Sequence, residues 1–248
     1  MKQKRIYIYG KHAVSEALMR APGLIKTIYT APQMQDADIL ALIRKTGIKT
    51  EKIDPQKVSS WVEGNAPHQG IIAHIAVFGL VVPFEDFIKG FEPQGEVLVY
   101  LDGVQDPQNV GTIIRACAAF GASAVLLPER MQSPVTGAVI KASAGAVFSI
   151  PLVGVQNPQQ ALAELRRKGV HIYGLAGEGA ANITQENFGG TTLFVMGNEA
   201  EGVSPSGRAL CEKMLRIPIS SRVESLNVAS ATTAALFAWS GKHPHLLA

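Results

Sequence analysis

Leu101-Asp-Gly-Val-Gln-Asp-Pro-Gln-Asn-Val-Gly-Thr-Ile-Ile-Arg-Ala116 is the stretch on which the fold turns. An apolar run at residues 97–101 reads as a buried strand, Gly103 and Pro107 turn the chain, and a helix is expected over 111–120. A buried strand that leads through a turn into a helix is the building unit of a parallel sheet. The unit recurs downstream. Further strands are expected at 124–127, 170–175, 192–196 and 214–217, and further helices at 139–147, 158–168, 206–211 and 226–239. Such alternation implies an α/β architecture, a parallel sheet covered on both faces. Ligands of open sheets of this kind bind at the carboxyl edge of the strands.

Upstream lies a smaller α/β unit. Its strands are expected at 5–9, 25–30, 48–53 and 71–77, and its helices at 11–20, 38–46 and 55–62. Ala13, Val14, Ala17 and Leu18 fall on one face of the first helix, and Gly47 terminates the second. Residues 79–95 are punctuated by Pro83, Gly90, Pro93 and Gly95 and read as a linker with a helical turn at 84–88. The expected division is therefore 1–78, a linker 79–95, and 96–248.

The chain has 248 residues, 47% apolar and 17% charged, which suits a well-packed globular protein. It has no uninterrupted apolar run long enough for a membrane span, and its basic start is not followed by the apolar core of a signal peptide. Cys117 and Cys211 match no metal-binding or redox spacing. A cytoplasmic protein without disulfide, metal or membrane anchor is the expectation. Charge is uneven: residues 1–79 carry 11 Lys and Arg against 6 Asp and Glu, and residues 80–248 carry 12 against 14. Lys2, Lys4, Arg5, Lys11, Arg20 and Lys26 crowd the start against Glu16 alone. That asymmetry fits a nucleic-acid-facing module joined to a near-neutral one, and equally a solvated surface.

Two more strings carry polar groups at the ends of expected strands. Gly197-Asn-Glu-Ala-Glu-Gly202 follows a buried strand, with Glu199 at the tip and Gly197 where backbone can come close to a ligand. Ile217-Pro-Ile-Ser-Ser-Arg-Val-Glu-Ser-Leu-Asn-Val228 places Ser225 and Asn227 at the start of a helix of small residues, apolar nearly all round, which suggests a subunit interface. Each has a plain structural alternative. Asn109 and Ser225 suit helix capping, Asn227 less so, Glu199 suits a solvated turn, and Arg115 suits a salt bridge or a surface charge. Arg115 is flanked by Ile113, Ile114, Ala116 and Cys117, so an anionic partner is expected for it. Gly111 shares a face with it and is expected to leave that face open. Gly174-Leu-Ala-Gly-Glu-Gly179 is a poor dinucleotide fingerprint, although it suits the wall of a pocket. No Walker-type loop and no nucleophile elbow occurs.

Taken in order, the three strings resemble the signature motifs of the SpoU-type RNA ribose 2′-O-methyltransferases of the SPOUT superfamily. The resemblance spans nearly the whole chain. Ile8-Tyr-Gly-Lys-His-Ala-Val14 and Pro67-His-Gln-Gly-Ile-Ile-Ala73 resemble the family's small, ribosomal-protein-like RNA-binding domain. The arrangement is most similar to the branch that methylates a guanosine ribose of 23S rRNA. The resemblance implies a SPOUT domain with a deep trefoil knot, a homodimer, and S-adenosyl-L-methionine as cofactor. It implies that Leu175, Ala176, Gly177, Met196, Gly197, Ile217, Pro218, Ile219 and Leu226 hold that cofactor, and that Arg115, Asn109, Glu199, Ser225 and Asn227 serve catalysis. Tyr7, Tyr9, Tyr29 and Trp61 are candidates for stacking on unpaired bases, with a place in the core as the competing reading. The same chemistry on tRNA or at another rRNA site, or an RNA-binding assembly factor without catalysis, are the alternatives. A nicotinamide-dependent oxidoreductase is a remote one, since its phosphate fingerprint is missing.

Overall fold

The structure, a computed structural model, describes residues 6–62, 67–76, 79–129, 133–179 and 181–246. Lys2, Lys4 and Arg5, together with Val77 at the end of an expected strand, lie outside the described residues.

The small unit runs β1 (Ile6–Tyr9), α1 (Lys11–Arg20), β2 (Ile25–Thr30), α2 (Ala37–Thr46), β3 (Thr50–Lys52), α3 (Pro55–Trp61) and β4 (Ile71–Ile75). Its strands lie in the order β1-β4-β2-β3, with β4 antiparallel to both neighbours and β3 parallel to β2. Period-2 alternation gives the sheet two faces. Ile8, Ile28, Ala73 and Ile75 join the apolar core with Val14, Ala17 and Leu18 of α1. On the other face Tyr7 stacks on Trp61 at 5.2 Å, and Tyr29 lies 4.4 Å from the same ring. These rings are half-buried and pack on one another, whereas Tyr9 is buried at 6% exposure.

The larger unit continues with β5 (Val81–Pro83), α4 (Phe84–Gly90), β6 (Val97–Asp102), α5 (Pro107–Ala119), β7 (Ala124–Pro128), α6 (Gly137–Ala142), β8 (Leu152–Val155) and α7 (Pro158–Arg167). It closes with β9 (His171–Leu175), β10 (Ala181–Asn182), β11 (Thr192–Gly197), α8 (Pro205–Arg208), β12 (Lys213–Arg216) and α9 (Val228–Ser240). The sheet has eight strands in the order β10-β12-β9-β11-β6-β7-β8-β5, and every pairing is parallel. Its central strands are buried on both sides, as the unbroken apolar runs at β6, β7 and β11 require.

Several expectations are corrected. The segment 79–95 holds β5, which pairs with β8 in the large sheet, and α4, whose Phe84 and Ile88 are buried. The crossing between the sheets is therefore the short stretch 76–80. The helix after β6 begins at Pro107, because Asp106 caps it by accepting from the Gln108 amide and Pro107 takes the first helical position. The same Asx/Ser-Pro device opens α3 at Asp54, α7 at Asn157 and α8 at Ser204. The helix expected over 139–147 stops at Ala142. Ala144 and Gly145 turn left-handed, and a 3₁₀ turn (Ala146–Phe148) follows. Strand β8 went unforeseen, since Pro151 and Gly154 break up a short apolar run.

At the far side of the large sheet, β12 is inserted between β9 and β10. The loop after β9 closes over the end of β12: the Ala176 amide donates to the Leu215 carbonyl at 3.0 Å. A Cβ on Gly179 would lie 2.5 Å from the Leu215 carbonyl carbon, so only glycine allows this approach.

Candidate functional site

The loops that follow β9, β11 and β12 meet at the carboxyl edge of the sheet and enclose a cavity of about 500 Å³. That is the size of a small-molecule or cofactor site. Its apolar lining is Leu175, Met196, Leu215 and Ile217, together with the exposed Ile219 and Leu226. Its rim is charged, with carboxylates from Glu178, Glu199, Glu201 and Glu224 and one cation, Arg208. Apolar side chains together with carboxylates suit a ligand that is part aromatic and part cationic.

The β11 loop owes its shape to close backbone packing. Asn198 and Gly202 exchange amide-to-carbonyl hydrogen bonds at 2.9 Å each way, folding the loop back on itself. A Cβ on Gly197 would lie 2.1 Å from the Gly202 carbonyl carbon. Glycine is thus required there by the returning loop rather than by a ligand. The Asn198 side chain completes the turn: its Oδ1 accepts from the Ala200 amide at 2.8 Å, and its Nδ2 donates to the Gly103 carbonyl at 2.9 Å.

Three of the expected residues, one from each string, form a chain of hydrogen bonds. Asn109 donates through Nδ2 to Glu199 Oε1 at 2.7 Å, and Asn227 donates through Nδ2 to Asn109 Oδ1 at 2.9 Å. Asn227 Oδ1 in turn accepts from the Ala229 and Ser230 amides and caps α9. Capping therefore falls to Asn227, not to Ser225 or Asn109. Ser225 lies on the cavity wall, and Asn109 sits in the first turn of α5 with its amide free to bridge β6 and β11. The chain order changes direction between those two strands, with β7 on one side of β6 and β11 on the other. The hydrogen bond from Asn109 to Glu199 thus spans a topological switch point.

Arg115 is exposed on α5 and does not line the cavity. No carboxylate among the described residues pairs with it, so the expected structural partner is missing and its guanidinium remains open to an external anion. Gly111 is buried, because a Cβ there would lie 2.4 Å from the Cβ of Ala142 on α6. It serves helix packing and does not open a face above Arg115. Of the residues expected around a cofactor, Leu175, Ala176, Gly177, Met196, Gly197, Ile217, Ile219 and Leu226 line the cavity; Pro218 does not.

Sequence reasoning missed Glu178, Glu201, Glu224 and Arg208 on the rim. Arg208 donates to Glu178 Oε1 at 2.6 Å and ties α8 to the loop after β9. The guanidinium holds the Glu178 carboxyl below its ordinary value. The signal for Glu178 was the Gly174–Gly179 string, and Glu201 and Glu224 stand inside the Gly197–Gly202 and Ile217–Val228 strings; Arg208 had none. Burial pushes Cys211 up to about 12 and raises Cys117 as well, so neither is a thiolate at neutral pH.

The fold and this site define an RNA methylase of the SpoU class: the chain belongs to the SpoU rRNA methylase family, whose model matches residues 96–237. A second model, RNA 2′-O ribose methyltransferase substrate binding, matches residues 7–78. Among similar proteins is the 23S rRNA (guanosine-2′-O-)-methyltransferase RlmB of Pseudomonas syringae pv. tomato. It is 34% identical over 236 residues, which cover 93% of each chain. The solved AdoMet-bound rRNA methyltransferase of Sinorhizobium meliloti is similar with a TM-score of 0.80 and 27% identity, over 99% of this chain and 89% of that one. The SpoU methyltransferase AviRb of Streptomyces viridochromogenes, solved with AdoMet, shares the fold: TM-score 0.81 and 24% identity, over 97% of this chain and 91% of that one.

Proposed function

We propose that this protein transfers a methyl group from S-adenosylmethionine to the 2′-hydroxyl of a guanosine ribose in 23S rRNA. The observation that carries this reading is the hydrogen-bonded chain Glu199–Asn109–Asn227 at the rim of the cavity. It joins the three SpoU strings into one site. Similarity to the rRNA enzyme RlmB over 93% of the chain, small domain included, favours rRNA as substrate.

The cavity fits the cofactor on its own chemistry. Leu175, Met196, Ile217, Ile219 and Leu226 offer an apolar slot for adenine, and backbone at Ala176, Gly177 and Gly197 offers hydrogen bonds. The rim carboxylates suit the positive charge of the sulfonium and ammonium groups. When bound, S-adenosylmethionine supplies an electrophilic methyl on a positively charged sulfur. What falls to the chain's own residues is to hold the ribose hydroxyl toward that methyl and to take up its proton as the methyl is transferred. Arg115, exposed and without a carboxylate partner among the described residues, is suited to clamp an RNA phosphate and to stabilise the charge developing on the oxygen. Glu199 is engaged by Asn109 through one carboxylate oxygen and offers the other as acceptor for the hydroxyl proton. Asn109 and Asn227 hold the loops that position it, and Ser225 stands on the cavity wall.

Further features follow the same reading. The closure of residues 176–179 over the end of β12 supports a threaded C-terminal segment, the trefoil knot. Phe237 is 68% exposed on α9, and Ile219, Val223 and Leu226 are exposed on the loop between β12 and α9. Such a surface supports a homodimer formed through α9. No helix among the described residues is long and apolar enough to cross a membrane, and an enzyme acting on rRNA works in the cytoplasm.

The test is methyl transfer from labelled S-adenosylmethionine to unmodified 23S rRNA and to bulk tRNA, side by side, with ribose mapping. Label in one rRNA guanosine is expected. Label confined to tRNA overturns the substrate, and absence of label from RNA and from ribosomal particles overturns the activity.

A further inference from the structure

Between the two sheets the chain has only residues 76–80, and both ends of that stretch are anchored. The Ala76 amide donates to the Leu24 carbonyl at 2.8 Å, and Leu80 is 8% exposed within the core. The core itself does not stop at the boundary: one apolar cluster runs from Ile8 and Val14 in the small unit to Val139 and Val147 in the large one.

The junction is built with glycine. A Cβ on Gly137, the first residue of α6, would lie 2.8 Å from the Tyr7 carbonyl oxygen of β1. Gly145, at φ +84°, brings the turn after α6 against α1, where a Cβ would lie 2.8 Å from Glu16 Cβ. Between these contacts Lys141 places its ammonium 5.1 Å from the centre of the Tyr9 ring. On its opposite side α6 meets α5 through Gly111, and α5 carries Asn109 and Arg115. The Gly137 contact is with backbone and the Gly145 contact with the Cβ of Glu16, atoms that cannot swing aside as the end of a long side chain can.

We propose that the small domain is docked on α6 as one rigid body with the methylase domain. The junction at Gly137, Lys141 and Gly145, rather than the connecting segment, then determines which ribose reaches Arg115. The inference rests on the functional reading above for its RNA consequence, while the docking itself is a property of the free protein. RNA held by the small domain is presented at one fixed distance through two helices in direct contact. Methylation of a single nucleotide is a geometric result of that distance.

The test uses the full chain in three variants. The first carries Gly137→Val, the second Lys141→Glu, and the third about six Gly/Ser residues inserted after Gly79 to free the tether. Each is measured for interdomain distance with one spin label per domain, for cofactor affinity, and for ribose-methyl mapping on 23S rRNA. The insertion is expected to keep a narrow distance distribution and the wild-type methylation site. Gly137→Val is expected to broaden the distances and, with cofactor affinity retained, to lower labelling of that ribose by about 100-fold, the cost of misplacement by about 1 Å. If Gly137→Val fails to fold, Lys141→Glu takes its place with the same expected broadening and a smaller loss. Broadening by the insertion overturns the proposal. So does wild-type labelling in both junction variants. Should the wild-type chain label no RNA, the functional reading fails, and the spin-label distances still decide the docking.

Discussion

The two sheets of this protein are built from similar residues and do different things with them. In the small sheet β4 runs against β1, β2 and β3, and on its second face Tyr7 and Tyr29 pack with Trp61 of α3. The large sheet is parallel throughout, so every strand delivers its following loop to the same edge. The strings after β6, β11 and β12 lie far apart in sequence and meet there for that reason. The large sheet gathers a cavity at that edge, whereas the small one presents packed rings on a face. Damage to the large sheet's edge should therefore abolish chemistry, and damage to the small sheet should spare cofactor binding.

The largest effect is expected from Arg115→Ala. Methyl transfer should fall about 100- to 1,000-fold, as for loss of a charge-stabilising donor, with calorimetric cofactor affinity unchanged. Activity near the wild-type rate would place the reacting centre elsewhere on the edge. Next comes Gly197→Ala, whose Cβ would meet the Gly202 backbone at 2.1 Å. The returning loop must move, so urea denaturation should show a loss of about 1–3 kcal/mol and cofactor binding should weaken with it. A variant that keeps both would show that the loop is not held by that contact.

Trp61→Ala sharpens the comparison from the other side. It removes the ring on which Tyr7 and Tyr29 pack, and should cost about 1–2 kcal/mol in thermal unfolding while leaving cofactor affinity at the wild-type value. A matching fall in that affinity would mean that the aromatic face supports the cavity. The smallest effect belongs to Glu178→Gln, which loosens an exposed ion pair worth under about 1 kcal/mol. Because Arg208 lowers the Glu178 carboxyl, the pair stabilises the fold at neutral pH and loses that contribution as pH falls through the lowered value. The wild-type and Glu178→Gln stability curves should converge in acid; a constant gap between them would assign the difference to packing.

What was legible in the sequence was what neighbours in the chain decide. Strand β2 and helix α1 were anticipated over residues 25–30 and 11–20, where they are found, because short-range alternation and helical periodicity set them. Strand β8 and the two-residue β10 were not, because each owes its existence to a partner strand distant in sequence. The start of α5 was misplaced because Asp106-Pro107 reads as a turn until it is weighed as a cap.

The candidate site divides along the same line. Asn109, Glu199 and Asn227 could be singled out one by one, since each sits where a strand ends and a helix or turn begins. That Asn109 bridges the other two follows only from the parallel order that sets β6 beside β11. The roles of Gly197, Gly111 and Gly137 were equally out of reach, because a missing Cβ acquires meaning only from the backbone that comes to occupy its place. The sequence by itself determined which elements form and which polar groups stand at their ends, through local periodicity and capping. The tertiary structure alone decided which of those ends touch, because hydrogen bonds and backbone contacts between distant segments depend on strand order and not on chain order.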